Sequence, residues 1–234
     1  KQLAIAAIVA ITGAALTSCT STDGPDPDAG AIYTDIVTIS SISSSGAVFT
    51  LQEKADSRLV TLTSTQKFNP GDLKPEERVV ISYKPATGEH YQTSDITVYG
   101  MAETFGRGHQ IPDSTDVATG MWKTSEVSMG SIWQSGPYVN IAFQAFSAPM
   151  PVKCMLVADS KTLESDYAEV HFIFEPANTV EAKNYVFYMS YSLTDVWAAP
   201  ECKGVKIYYR DALGMQSFKL DKTGVLTPSK PEKQ

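Results

Sequence analysis

Short apolar alternations run through this chain from residue 31 almost to its end. Tyr185, Phe187, Met189 and Tyr191 fall at every second position, and so do Val139, Ile141 and Phe143, with Asn140 and Ala142 between them. A period of two places alternate side chains on opposite faces of an extended strand, whereas an amphipathic helix needs a period of 3.6. The sequence shows no internal repeat and no long amphipathic helix. It reads as all-β, its strands cut by turn residues at 43–46, 69–71 and 85–88.

The strands fall into two groups. Over residues 31–104 five are predicted, at 32–40, 47–52, 59–63, 78–84 and 95–101, a count that suits a small, partly open barrel of the OB type. Residues 105–117, with two glycines and a proline, read as a junction. Residues 118–222 offer seven more, at 125–133, 138–146, 152–158, 167–174, 184–193, 205–210 and 216–220. Seven antiparallel strands over that length point to an immunoglobulin-like β-sandwich. Residues 223–234 are polar, contain two prolines and are expected to form a disordered tail.

The N-terminus carries an address. Residues 2–18 are uncharged and dominated by Ala, Ile, Leu and Val, and the run falls short of the roughly 20 apolar residues a membrane span needs. Residues 1–18 read as an export signal ending in Leu16-Thr17-Ser18-Cys19. Thr17 and Ser18 are small enough for a peptidase pocket, and Cys19 supplies the thiol that takes a diacylglyceryl group. A plain secretory signal with an incidental cysteine and a buried helix are the alternatives. Residues 19–30 are then the lipidated N-terminus and a polar, Pro/Gly/Asp-rich tether. Two or three acyl chains anchor far more firmly than one, which binds only marginally. Thr20 rather than Asp follows the cysteine, which favours the outer membrane and leaves the face, periplasmic or cell-surface, open.

Composition narrows the chemistry. The chain has 26 acidic and 19 basic side chains, a net charge of −7. That argues against nucleic acid as a partner, which needs a basic groove with stacking aromatics. An oxidising compartment permits a disulfide between Cys154 and Cys202; the alternative is two separately buried thiols. His90, His109 and His171 lie at no metal-ligand spacing, so no metal or cofactor is expected. Gly106-Arg-Gly-His109 lacks the third glycine and the strand–helix context of a phosphate loop. No G-x-S-x-G elbow appears, and Glu76-Glu77 sit in a charged loop, so the chain is not expected to be an enzyme. Trp122, Trp133, Trp197 and Tyr209 are candidates for a ligand-binding aromatic surface; the competing expectation is that they fill the sandwich core.

The lipobox at Cys19 is followed by the opening strand Ile32-Tyr-Thr-Asp-Ile-Val-Thr38 and by Ile96-Thr-Val-Tyr-Gly100. In the second domain stand Val139-Asn-Ile-Ala-Phe143, Met189-Ser-Tyr-Ser-Leu193 and Val205-Lys-Ile-Tyr208. Together these features resemble the NigD-like lipoproteins of Gram-negative anaerobes. The resemblance implies an N-terminal OB-like domain followed by a C-terminal β-sandwich, the division the strand count reaches on its own. It brings no catalytic motif, and it implies a role in bacteriocin immunity. The leading expectation is an outer-membrane-anchored, non-enzymatic lipoprotein that binds a protein or an envelope component. The alternative is a glycan-binding surface lipoprotein of a polysaccharide-uptake system.

Overall fold

A computed structural model describes residues 31–53, 57–117 and 123–229. The expected signal peptide, lipidated Cys19 and tether, together with Trp122 and residues 230–234, lie outside the described residues.

The first five strands are β1 (Tyr33–Ser43), β2 (Gly46–Leu51), β3 (Val60–Ser64), β4 (Arg78–Pro85) and β5 (Ser94–Glu103). They close into a barrel in the order β1-β2-β3-β5-β4, with β4 returning to β1. Every pairing is antiparallel except that of β3 with β5. One long strand serves both flanks of the closure. Residues Tyr33 to Thr38 of β1 pair with β4 and Thr38 to Ser43 pair with β2, with a register shift between Ile39 and Ser41. A bulge there bends the strand and sharpens its twist, which is how a short strand set curls shut. The alternation seen in the sequence points inward: Val37, Ile39, Phe49, Leu51, Leu62, Val79, Ile81 and Tyr83 fill the barrel.

The second domain is a two-sheet sandwich. Strands β7 (Ser128–Ser135), β8 (Tyr138–Ser147) and β11 (Lys183–Ser192) form a three-stranded sheet, ordered β11-β8-β7. Facing it are β6 (Asp113–Ser114), β9 (Lys153–Asp159), β10 (Tyr167–Glu175), β12 (Gly204–Asp211), β13 (Gly214–Asp221) and β14 (Leu226–Ser229). Their order is β14-β13-β12-β10-β9-β6. Phe143 of β8 meets Phe172 and Phe174 of β10 edge-on, at 4.9 and 5.4 Å between ring centroids, and stacks on Phe187 of β11 at 5.2 Å. Offset and edge-to-face rings of this kind fill the space between two sheets with little void.

The sandwich departs from the expected pattern in four places. β10 pairs with β12 in parallel, not antiparallel, because β11 between them in sequence belongs to the other sheet. The tail expected to be disordered from residue 223 carries β14, whose Leu226 packs on the sandwich core while its backbone pairs with β13. The junction is structured too. Phe105 and Gln110 bridge to Met189 and Ser192, so the linker runs beside β11, and β6 adds to β9. Cys154 and Cys202 are both free. Cys154 pairs with Phe174, whereas Cys202 lies two residues before Gly204, which pairs with Tyr167. The two ends of β10 are roughly 20 Å apart at 3.3 Å per residue, and a disulfide needs Cα atoms within about 7 Å.

One buried cation joins the two domains. Arg78, at the start of β4, is 2% exposed and reaches out of the barrel into the three-stranded sheet. Its Nε donates to Ser190 Oγ (3.1 Å) and its Nη1 to Thr38 Oγ1 (3.0 Å); its Nη2 donates to Ser135 Oγ (2.6 Å) and Asn140 Oδ1 (3.3 Å). Tyr138 covers the guanidinium at 4.4 Å from its ring centroid. None of these partners is a carboxylate, and burial lowers the Arg78 pKa to about 10, which leaves it charged at neutral pH. The linker passes close by on two glycines with positive φ. A Cβ on Gly106 would stand 2.3 Å from the Tyr191 ring, and one on Gly108 would stand 2.6 Å from Arg78 Cγ. Only glycine fits both the backbone conformation and the space.

Candidate functional site

The three-stranded sheet has two ends with different roles. Ser135, Asn140 and Ser190 bind Arg78 at the barrel end. At the other end the same strands contribute Ser128 and Met129 of β7, Gln144, Ala145 and Phe146 of β8 and Asn184 of β11 to an open groove of about 490 Å³. Ser190 and Asn184 are six positions apart on β11, so the groove lies roughly 20 Å from the joint. Its opposite wall comes from the β12–β13 hairpin, with Tyr209, Asp211, Ala212 and Leu213, and from Glu126 and Val127 on the segment entering β7.

Local chemistry explains the shape. The β12–β13 turn is held by Asp211 Oδ1, which accepts from Leu213 N at 2.8 Å and from Gln216 Nε2 at 3.3 Å. With Gly214 at φ +108° closing the turn, Leu213 is thrown outward and is 89% exposed. Phe146 occupies the register of Asn140, Ala142 and Gln144, the polar face of β8, and is 59% exposed. Val186, opposite Gln144 on β11, is also exposed. The groove thus has an apolar rim above a floor that mixes Val127, Ala145 and Tyr209 with amides and carboxylates. Tyr209 is buried, its ring parallel to Phe218 at 5.6 Å, and burial and Asp211 raise its phenol pKa, so the hydroxyl keeps its proton.

The groove contains no histidine, cysteine or lysine. It can bind by apolar contact and by hydrogen bonds with Gln144, Asn184 and the carboxylates of Glu126 and Asp211. Among the described residues no three His, Cys, Asp or Glu side chains are grouped to hold a metal ion.

A second cluster sits on the barrel, at the end where β1 begins. Asp35 Oδ2 accepts from Tyr83 Oη at 3.0 Å and lies 2.7 Å from His90 Nε2. The imidazole is sandwiched between Tyr33 (4.1 Å) and Tyr91 (3.7 Å). Burial and the Asp35 charge push the Tyr83 phenol far up, which makes it a hydrogen-bond donor and not a nucleophile. The arrangement clasps the β4–β5 loop to β1.

The candidate aromatic residues do not share one surface. Tyr209 lines the groove. Trp133 is half-buried opposite Asn140, on the sheet face turned to Arg78. Trp197 is half-buried against the sandwich core, its Nε1 buried without a partner. Sequence reading passed over Phe146 and Leu213. The signal for Phe146 was an aromatic in the polar register of β8; Leu213, in a turn, carried none.

An OB-type barrel joined end-on to a six-plus-three-stranded sandwich defines the structural class. No protein-family profile matches the chain, and no curated protein matches it in sequence. Solved structures do share the fold. A Bacteroides vulgatus protein of unknown function, DUF1344, is 18% identical with a TM-score of 0.59 over 82% of this chain and 90% of its own. A Parabacteroides distasonis protein described as toxin-related is 16% identical with a TM-score of 0.57, over 81% and 92%. A NigD-like immunity protein from Bacteroides caccae is 16% identical with a TM-score of 0.53, over 85% and 91%. The chain therefore has the fold of NigD-like proteins, as the sequence resemblance implied.

Proposed function

We propose that the chain is a non-enzymatic lipoprotein, anchored in the outer membrane through Cys19, that presents the groove at the far end of its sandwich to a protein partner. The observation that carries this reading is the groove's apolar rim. Phe146 and Leu213 are large apolar side chains held in solvent on two walls of one concavity, a mark of a binding surface. The fold shared with a NigD-like immunity protein supports a role in bacteriocin immunity, in which the groove captures the toxin or a component it engages.

Deleting the gene should raise bacteriocin sensitivity, and the parent sequence should restore resistance where F146D and L213D do not. Unchanged sensitivity in the deletion strain would refute the immunity role. A second reading is favoured by the amides and carboxylates beside the exposed Phe146 ring, a combination suited to a sugar: the groove holds a glycan for an uptake system. Retardation of the protein in gels containing soluble polysaccharide, abolished by F146A, would select that reading. Migration unchanged across a broad polysaccharide panel would exclude it.

A further inference from the structure

We propose that the barrel end carrying Ile32, Leu59 and Tyr91 rests on the lipid surface that anchors the chain, so that the groove points away from the bilayer. The proposal rests on the anchoring reading above and adds the face that touches lipid.

Topology assembles this end. The chain enters the barrel here, since Tyr33 opens β1. The β4–β5 loop folds onto the same place, where His90 stacks between Tyr33 and Tyr91. The β2–β3 connection arrives beside it: β3 and β5 run parallel from Leu62 opposite Ser94, and Thr61 N donates to Thr93 Oγ1 at 3.2 Å. That register carries Leu59 back toward Tyr91. Ile32 is 60% exposed, Leu59 55% and Tyr91 36%. The sandwich meets the barrel at Arg78, where β4 begins beside Thr38, and at Gln52, just past β2, which lies against Gly136.

Chain length brings the membrane within reach. Eleven residues separate Cys19 from Ala31, so even fully extended they span at most about 40 Å. The surface suits a bilayer interface. Tyrosine concentrates at headgroup level, with aliphatic side chains just below it. Arg58 is exposed next to Leu59, while Glu53 and Glu89 offset it, so the contact is apolar more than electrostatic. A second, protein-borne attachment of this kind adds to an acyl anchor and limits the tilt the tether would otherwise allow.

The test uses the full lipidated chain in vesicles of phosphatidylethanolamine and phosphatidylglycerol, a fraction of whose acyl chains are brominated. Single probes L59W, Y91W and L213W are read as differences from the parent, whose own tryptophans lie outside the barrel. The Leu59 and Tyr91 probes should shift to the blue and lose most of their added emission, while the Leu213 probe at the groove stays unquenched. If the protein floats with the vesicles and the first two probes are unquenched, or all three are quenched alike, the orientation is wrong and the anchor reading stands. If the chain does not float with vesicles, the anchor reading fails and takes the proposal with it.

Discussion

Replacing Arg78 with alanine removes four hydrogen bonds donated by a buried charge, together with the stem that packs under Tyr138. Hydrogen bonds to charged groups contribute about 1.5–3 kcal/mol each, but desolvating a guanidinium with no carboxylate partner takes back much of that sum. Truncating a large buried side chain to alanine typically costs about 2–5 kcal/mol, and we expect R78A to fall there. At this chain length that lowers Tm by roughly 10 °C. R78M should be milder, about 1–2 kcal/mol, because the apolar stem stays and no charge has to be buried. Its former partners also keep each other. Asn140 Nδ2 still donates to Ser135 Oγ at 2.8 Å, and Ser190 Oγ still donates to Asn140 Oδ1 at 2.8 Å. Every tryptophan lies beyond the barrel, so fluorescence in urea reports the sandwich while hydrogen exchange on peptides of β1–β5 reports the barrel. In the parent the two should lose structure together; in R78A the barrel should exchange at lower urea than the sandwich unfolds. An R78A protein within 1 kcal/mol of the parent, or a parent whose domains already unfold apart, would refute the idea that this cation couples them.

Three further outcomes follow from the packing. G106A should cost about 2–3 kcal/mol, since it forces a Cβ into the Tyr191 ring at a positive φ, and the urea midpoint measures it. His171 is half-buried, stacked on Tyr208 with its Nε2 buried and unpartnered, and desolvation lowers its pKa below 6.5. The unfolded chain therefore binds the proton first, so stability is full above pH 6.5 and declines as pH falls from there toward the folded pKa; H171Q should flatten urea midpoints compared at pH 7 and 5.5. Cys154, whose thiol burial pushes far up, and buried Cys202 should resist iodoacetamide until urea unfolds the chain; rapid labelling of the native protein, or a mass change on reduction, would contradict the free, buried thiols.

The legible part of this protein was whatever a strand says about itself. A period of two is a local property, so the alternations at Val139–Phe143 and Tyr185–Tyr191 located β8 and β11 and chose their buried faces before any partner was known. The strand groups on either side of residues 105–117 separated barrel from sandwich for the same reason. Short elements were missed where pairing, not pattern, makes the strand: β6 is two residues long, and β14 contains Pro228 and exists because β13 offers it an edge.

What needed the tertiary structure were the relations between distant residues. Arg78 looks like an ordinary strand-opening charge until the fold brings Ser135, Asn140 and Ser190, up to 112 residues away, around its guanidinium. The cysteines could be paired on paper, yet the parallel β10–β12 register sends them to opposite ends of one strand. The groove is the extreme case. Its walls come from four separate stretches of chain, and its exposed Leu213 points outward only because Asp211 holds a turn. Sequence determines local periodicity because each strand's alternation is written in its own neighbours; a binding surface depends on which strands become adjacent, and that is decided only when the sheets pack.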